Sequence, residues 1–152
     1  MQKTVRKAWT EFIQPLLYRP PQVQVAALPV RGKGKDKEVL LITSRGTGRW
    51  IIPKGWPMTG KTDAEAAAQE AWEEAGIKAR KVSPAPIGSY RYAKSGAGGI
   101  VTPMQAMVYL LKVDTLAKKY PEVSERKRKW FSPEEAAQRV DEMGLKDLLL
   151  KL

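Results

Sequence analysis

Gly55-Trp-Pro-Met-Thr-Gly-Lys-Thr-Asp-Ala-Glu-Ala-Ala-Ala-Gln-Glu-Ala-Trp-Glu-Glu-Ala-Gly-Ile77 is the stretch on which the fold turns. Its second half is punctuated as a helix. Thr62 followed by Glu65 has capping-box spacing, and Gly76 supplies a C-terminal stop. At 100° per residue, Glu70, Glu73 and Glu74 fall within about 100° of arc and make one carboxylate face. Ala64, Ala68, Ala71 and Ala75 form a stripe on roughly the opposite side, narrow enough to lie close against a sheet. A solvated acidic face is the bland alternative. Like charges at these spacings cost about 0.2–0.5 kcal/mol per pair unless a cation neutralises them. Glu74 has Lys78 within reach, but Glu70 has Glu74 where its cation should be. A hard divalent ion, Mg²⁺ or Mn²⁺, suits three oxygen ligands best.

Outward from this helix, strands alternate with turns. Toward the N-terminus, Pro20-Pro21 precede a strand over Val23–Val30, a Gly/Lys turn and a second strand over Glu38–Ser44. Gly46-Thr-Gly48 then turns the chain into Trp50-Ile-Ile52, stopped by Pro53, and residues 54–61 read as a loop. Toward the C-terminus, Ile87–Ala93 and Thr102–Val113 read as a hairpin joined by Ser95-Gly-Ala-Gly-Gly99, and Lys129-Trp-Phe131 as a short strand. Ser132 caps a helix with Pro133 first and Glu135 at the capping-box site, expected to run to about Met143. Gly144 breaks it before the apolar tail Leu145–Leu152. Mixed strands and helices predict an α/β layered domain.

Composition narrows the chemistry. The 152 residues include no Cys and no His. Thiolate nucleophiles, disulfides, imidazole bases and His- or Cys-bound zinc are therefore excluded. Any hydrolytic base must be Asp, Glu, Lys, Tyr or a metal-bound hydroxide. The net charge of +11 points to a polyanionic ligand, either nucleic acid or a phosphorylated small molecule. No apolar run reaches the roughly 20 residues of a membrane helix. Residues 1–17 have apolar side chains at helical spacing between basic ones and lack a secretory h-region, which predicts an amphipathic helix.

The quoted stretch resembles the Nudix box, G-x5-E-x7-R-E-U-x-E-E-x-G-U with U apolar. Gly55, Glu70, Ala71, Glu73, Glu74, Gly76 and Ile77 match at full spacing, while Lys61 and Gln69 stand where the family has Glu and Arg. Trp50-Ile-Ile-Pro-Lys-Gly-Trp-Pro and Arg126-Lys-Arg-Lys-Trp-Phe-Ser-Pro-Glu-Glu-Ala resemble the diphosphoinositol polyphosphate and diadenosine polyphosphate phosphohydrolase branch. The resemblance implies one Nudix domain over residues 1–152, with 1–20 as an N-terminal extension and 55–77 as the box. It implies an α/β (α+β) fold, a mixed sheet sandwiched between helices. It also implies a pyrophosphohydrolase in which Glu70, Glu73 and Glu74 hold Mg²⁺ or Mn²⁺, with the Gly55 carbonyl and Glu125 as further ligands. In the family the missing arginine helps to hold a catalytic carboxylate, so reduced activity is expected.

Cations must neutralise and place the phosphates. The candidates are Arg31, Arg45, Arg49, Lys54, Arg91 and the run Arg126–Lys129, with Lys54 favoured because it adjoins the motif glycine. Tyr90, Tyr92 and Trp56 are candidates for stacking on a base. The expected ligand is a small polyphosphate and the expected compartment the cytoplasm. A homodimer is compatible with the sequence, whereas nucleic acid and membrane are disfavoured as partners.

Gly55-Trp-Pro-Met-Thr-Gly-Lys-Thr62 also fits the Walker A pattern. Against it, Pro53 and Pro57 stiffen the loop, and too few strand–helix alternations follow for a parallel sheet. A basic nucleic-acid-binding module lacks a base-reading motif. A Nudix-like protein that binds without turnover is the remaining alternative, suggested by Lys61 and Gln69.

Overall fold

The structure is a computed structural model and describes residues 20–152. The amphipathic helix expected over residues 1–17 lies outside the described residues. The strands are β1 (Gln22–Arg31), β2 (Glu38–Thr43), β3 (Trp50–Ile51), β4 (Lys54–Gly55), β5 (Ile77–Val82), β6 (Gly88–Ser95), β7 (Val101–Leu116) and β8 (Arg128–Phe131). The helices are α1 (Asp63–Ala75), α2 (Pro133–Arg139) and α3 (Met143–Leu150).

All eight strands join one mixed sheet with the path β3-β2-β1-β7-β5. β4 pairs with β1, β6 with β7, and β8 with β2. Only β1 and β7 run parallel among these pairs, which excludes the parallel sheet that a Walker A loop requires. β1 is buried without interruption from Gln24 to Val30, as expected of a strand covered on both faces.

Each face has its own core. On one, Ala66, Ala67, Ala71 and Ala75 of α1 pack on Val25, Ala27, Leu40, Ile42 and Leu111. On the other, Ala136, Ala137, Leu145 and Leu149 of α2 and α3 pack on Leu28, Leu41, Val108 and Phe131. Leu145 and Leu149 are fully buried, worth about 1.5–3 kcal/mol each. The sheet is thus sandwiched between α1 and the α2–α3 pair, the mixed α+β arrangement expected.

Several local expectations are corrected. The fully buried stripe of α1 is Ala66, Ala67, Ala71 and Ala75, with Ala64 and Ala68 only partly buried at its margin. Residues 54–55 are not loop: Lys54 and Gly55 pair with Ala26 and Val25. β5 was not anticipated, because Ile77-Lys-Ala-Arg-Lys-Val82 exposes four of its six residues and pairs irregularly with β7. α2 stops at Arg139, where Val140 turns extended to bury its side chain. Gly144 does not break a helix but lies inside α3, where a Cβ would sit 2.7 Å from Tyr90 Cβ. Its missing side chain lets α3 lie directly on β6.

Candidate active site

The box helix is built as its sequence specifies. The Thr62 hydroxyl accepts from the Glu65 amide while the Glu65 carboxylate accepts from the Thr62 amide, both at 3.1 Å. At the other end Gly76 adopts a left-handed conformation (φ 67°). Its amide satisfies carbonyls of the last turn. Arg128 adds a second closure, donating to the carbonyls of Ala75 (2.7 Å) and Ala117 (2.8 Å).

Held this way, α1 does not aim three carboxylates away from the sheet. Glu70 and Glu74 lie on its flank and line a cleft of about 1010 Å³ together with β4, the turn before β3 and part of β6. Gly55 faces Glu70 so closely that a Cβ there would stand 2.3 Å from the Glu70 carboxyl carbon. The Lys54 amide donates to Glu74 (3.2 Å), so β4 places both the glycine and the neighbouring acid. Glu73 is not among the lining residues; its carboxylate accepts from the Gln69 amide at 3.0 Å. A neutral donor, the Gln69 side-chain amide, thus stands where the family pattern has an arginine. Glu74 pairs with Arg126 rather than with Lys78.

Arg126 is the hub of this end. Its guanidinium lies 3.5 Å from Glu74 and 3.2 Å from Glu122, and it donates to the Thr43 carbonyl at 3.2 Å. Burial raises the Glu70 carboxyl to about 7, with Glu73 and Glu122 pushing the same way against Arg126. Burial also raises Glu74 to about 7, against the pull of Arg126 and the Lys54 amide, with Glu70 and Glu122 adding to the rise. In both, withdrawal from water outweighs the opposing pull of Arg126.

The same cleft gathers most of the predicted cations. Arg45, Arg49, Lys54 and Arg91 line it; Arg31 does not, and lies apart, paired with Glu38 (2.8 Å) and over the Trp130 ring (4.0 Å). Arg45 reaches Glu125 (3.3 Å) and Glu122 (3.7 Å). Arg49 reaches Asp141 and Glu142, both at 3.3 Å. Burial pushes the Lys54 ammonium down, against the pull of Glu74 and Glu142. Its Nζ lies 5.1 Å from the Tyr92 ring centre. Tyr92 and Trp56 line the cleft, while Tyr90 is buried in the core.

Glu125, expected as a metal ligand, is not among the lining residues, and Glu122 is. The Glu122 amide donates to the Glu73 carbonyl at 3.0 Å, which hangs the residue 121–125 turn on α1. Spacing four residues before Arg126 is the signal that could have found it. Asp141 and Glu142 went unseen because a helix drawn through to Met143 hides the turn that presents them.

Among the described residues no group of three or more acids stands close enough to cage a metal ion as placed. The donor chemistry nevertheless fits a hard divalent cation. Glu70, Glu74 and Glu122 are all oxygen donors, and the two raised carboxyls would be returned toward their ordinary range by added positive charge.

Comparison with known proteins identifies the family and the fold. Among curated proteins the chain is similar to Nudix hydrolase 16, mitochondrial, of Arabidopsis thaliana (33% identical over 121 residues; 78% of this chain, 66% of that protein). It is also similar to diphosphoinositol polyphosphate phosphohydrolase 2 of Rattus norvegicus (29% over 115 residues; 74% and 59%). The chain spans between half and about two thirds of the lengths of the first such relatives. Among solved structures it shares the fold of the C. elegans Ap4A hydrolase at a TM-score of 0.63 and 22% identity, covering 87% of this chain and 96% of that one. The E. coli dihydroneopterin triphosphate pyrophosphohydrolase gives 0.63 and 16%, covering 86% and 93%. No described helix is long and apolar enough to cross a membrane. The NUDIX domain model matches residues 20–152, the whole described fold, and the chain belongs to that family.

Proposed function

We propose that this chain hydrolyses a phosphoanhydride bond in a small polyphosphate, with Mg²⁺ or Mn²⁺ held by Glu70, Glu74 and the Gly55 carbonyl. Glu73 would act from behind, through its bond to Gln69, and Glu125 through Arg45. The observation that carries this reading is that a buried carboxyl, Glu74, and a half-buried one, Glu70, face a row of cations in one cleft. Bound there, the metal would supply Lewis-acid charge and an activated water. The chain's own part is positional and electrostatic. Arg126 holds Glu74 and Glu122 in place, and β4 fixes Glu74 through the Lys54 amide. Arg45, Arg49, Lys54 and Arg91 offer positive charge to the phosphate oxygens as charge develops on them. With no imidazole in the chain, the pH dependence of turnover should follow a carboxyl or a metal-bound water.

The relatives' names support a diadenosine polyphosphate or a diphosphoinositol polyphosphate as substrate. The cytoplasm is the compartment we favour, although two plant relatives are named mitochondrial. The test is release of phosphate and nucleotide from both substrate types and from nucleoside triphosphates, with Mg²⁺, with Mn²⁺ and with chelator. Metal-dependent cleavage is expected. Tight binding with no cleavage of any compound would mark a Nudix-fold binding protein that has lost the chemistry along with the Glu and Arg that Lys61 and Gln69 replace.

A further inference from the structure

The cleft leaves the basic turn between β1 and β2, Arg31-Gly-Lys-Gly-Lys-Asp-Lys37, without a role. The turn has a fixed shape. The Asp36 amide donates to the Lys33 carbonyl (3.0 Å) and the Lys37 amide to the Gly34 carbonyl (3.2 Å). Gly32 is left-handed (φ 78°), and a Cβ there would stand 2.5 Å from the Asp36 carbonyl oxygen. So folded, the turn sets Arg31, Lys33 and Lys37 with Arg80 and Lys81 of β5 and Lys112 of β7 around a concavity of about 640 Å³. This concavity opens at the far end of β1 from the cleft. Gln24 lines one and Val30 the other, roughly 20 Å apart along an extended strand.

These cations have little to neutralise them. Lys81 and Lys112, both exposed, are directly opposite each other across the antiparallel β5–β7 pair. Like charges so placed destabilise a sheet. Among the described residues neither of them, nor Lys33, Lys37 or Arg80, has an acid within salt-bridge distance; of the six only Arg31 is paired, with Glu38. No acid side chain lines the concavity. An anion seated there would relieve the repulsion between the two lysines and be met by cations from three elements at once.

Shape and lining select the anion. The volume suits a small ligand. No aromatic side chain lines the concavity, and the Trp130 ring nearby is covered by the Arg31 guanidinium at 4.0 Å, so the bases of a nucleic acid strand would find nothing to stack on. None of the exposed large apolar side chains lines it either, which leaves a bilayer without an anchor. We propose that this concavity binds a compact, multiply phosphorylated anion that carries no base, such as a condensed inorganic phosphate chain, at a site separate from the cleft. The inference stands whether or not the chain is a hydrolase.

The test is an NMR titration of the isotope-labelled full chain with inorganic tripolyphosphate, in chelator, for wild type and for Lys81→Ala with Lys112→Ala. Backbone amides keep the two sites apart: Gly32, Lys33, Lys81 and Lys112 report on the concavity, Lys54 and Trp56 on the cleft. In wild type the first set should shift and saturate, with tripolyphosphate bound about tenfold or more tightly than orthophosphate. A trinucleotide with the same number of phosphates should bind there more weakly than tripolyphosphate. The double variant should weaken binding at the concavity by about tenfold or more and leave the response of the cleft amides as it was. The proposal is overturned if the concavity amides do not saturate, if the trinucleotide binds there as tightly as tripolyphosphate, or if the folded double variant keeps wild-type affinity. It is also overturned if phosphoinositide vesicles hold the wild type against saturating tripolyphosphate and release the double variant, since the site would then read a lipid surface. The wild-type arms stand even if the double variant fails to fold.

Discussion

Two of the concavities formed by the described residues differ in a way that shows where charge does chemical work. The cleft under β4 mixes acids and cations, several of them largely withdrawn from water. The second, about 640 Å³ between the β1–β2 turn, β5 and β7, is lined by Arg31, Lys33, Lys37, Arg80, Lys81 and Lys112 and by no acid side chain. Most of those cations are exposed, whereas in the cleft burial pushes Glu70 and Glu74 up and Lys54 down. A charge in water is screened by it; a charge half out of water acts on its neighbours. The +11 balance is therefore a poor guide to the site, which sits where opposite signs meet under cover.

Substitutions should divide along the same line. Glu74→Gln should lower turnover of a cleaved polyphosphate by on the order of 100-fold with the fold intact by circular dichroism. Wild-type rates in that variant would remove Glu74 from the site. Gly55→Ala should cost roughly 10–100-fold, because the new methyl displaces the flexible Glu70 carboxylate rather than backbone. Gly144→Ala tests the packing of α3 on β6: a Cβ against Tyr90 backbone and side chain should destabilise by about 1–3 kcal/mol in urea unfolding.

A smaller effect should appear in the chelated protein as pH is varied. Glu70 and Glu74 are raised to about 7 in the fold against an ordinary 4.5. Between those values the unfolded chain has released protons that the folded one still holds, so stability falls as pH rises from 4.5 to 7 and levels off above. The thermal midpoint should drop by a few degrees across that window. Mg²⁺ should restore more at pH 7.5 than at pH 5, and equal restoration at both would deny it these two ligands. Last, Lys81→Ala with Lys112→Ala in the second concavity should leave turnover within about twofold, as surface charges usually do. A larger fall would mean that the basic concavity takes part and that the contrast drawn above is false.

The same contrast marks what could be read from sequence. α1 was legible end to end because its signals are local: a cap at Thr62, a stop at Gly76, small residues on the buried side. The box glycine was legible as a motif, though its reason, the approach of Glu70, is a distance across the fold. β4 was not, since two residues pairing with β1 leave no periodic trace. β5 hid behind Lys78, Arg80 and Lys81 on its exposed side. The far wall of the cleft was lost through one boundary. Val140 ends α2 by tucking into the core, a tertiary preference that no helix propensity contains, and Asp141 and Glu142 emerge only because it does.

The parallel contact of β1 with β7 has a kinetic side. Gln22 meets Met104 and Val30 meets Lys112, partners roughly eighty residues apart, and no local hairpin can form this pair first. As the chain emerges from a ribosome, the most buried strand of the sheet must wait, one edge unpaired, until most of the sequence has been made. Such an apolar edge invites self-association in the interval. A chain cut before residue 104 should therefore aggregate rather than rest as a smaller folded unit.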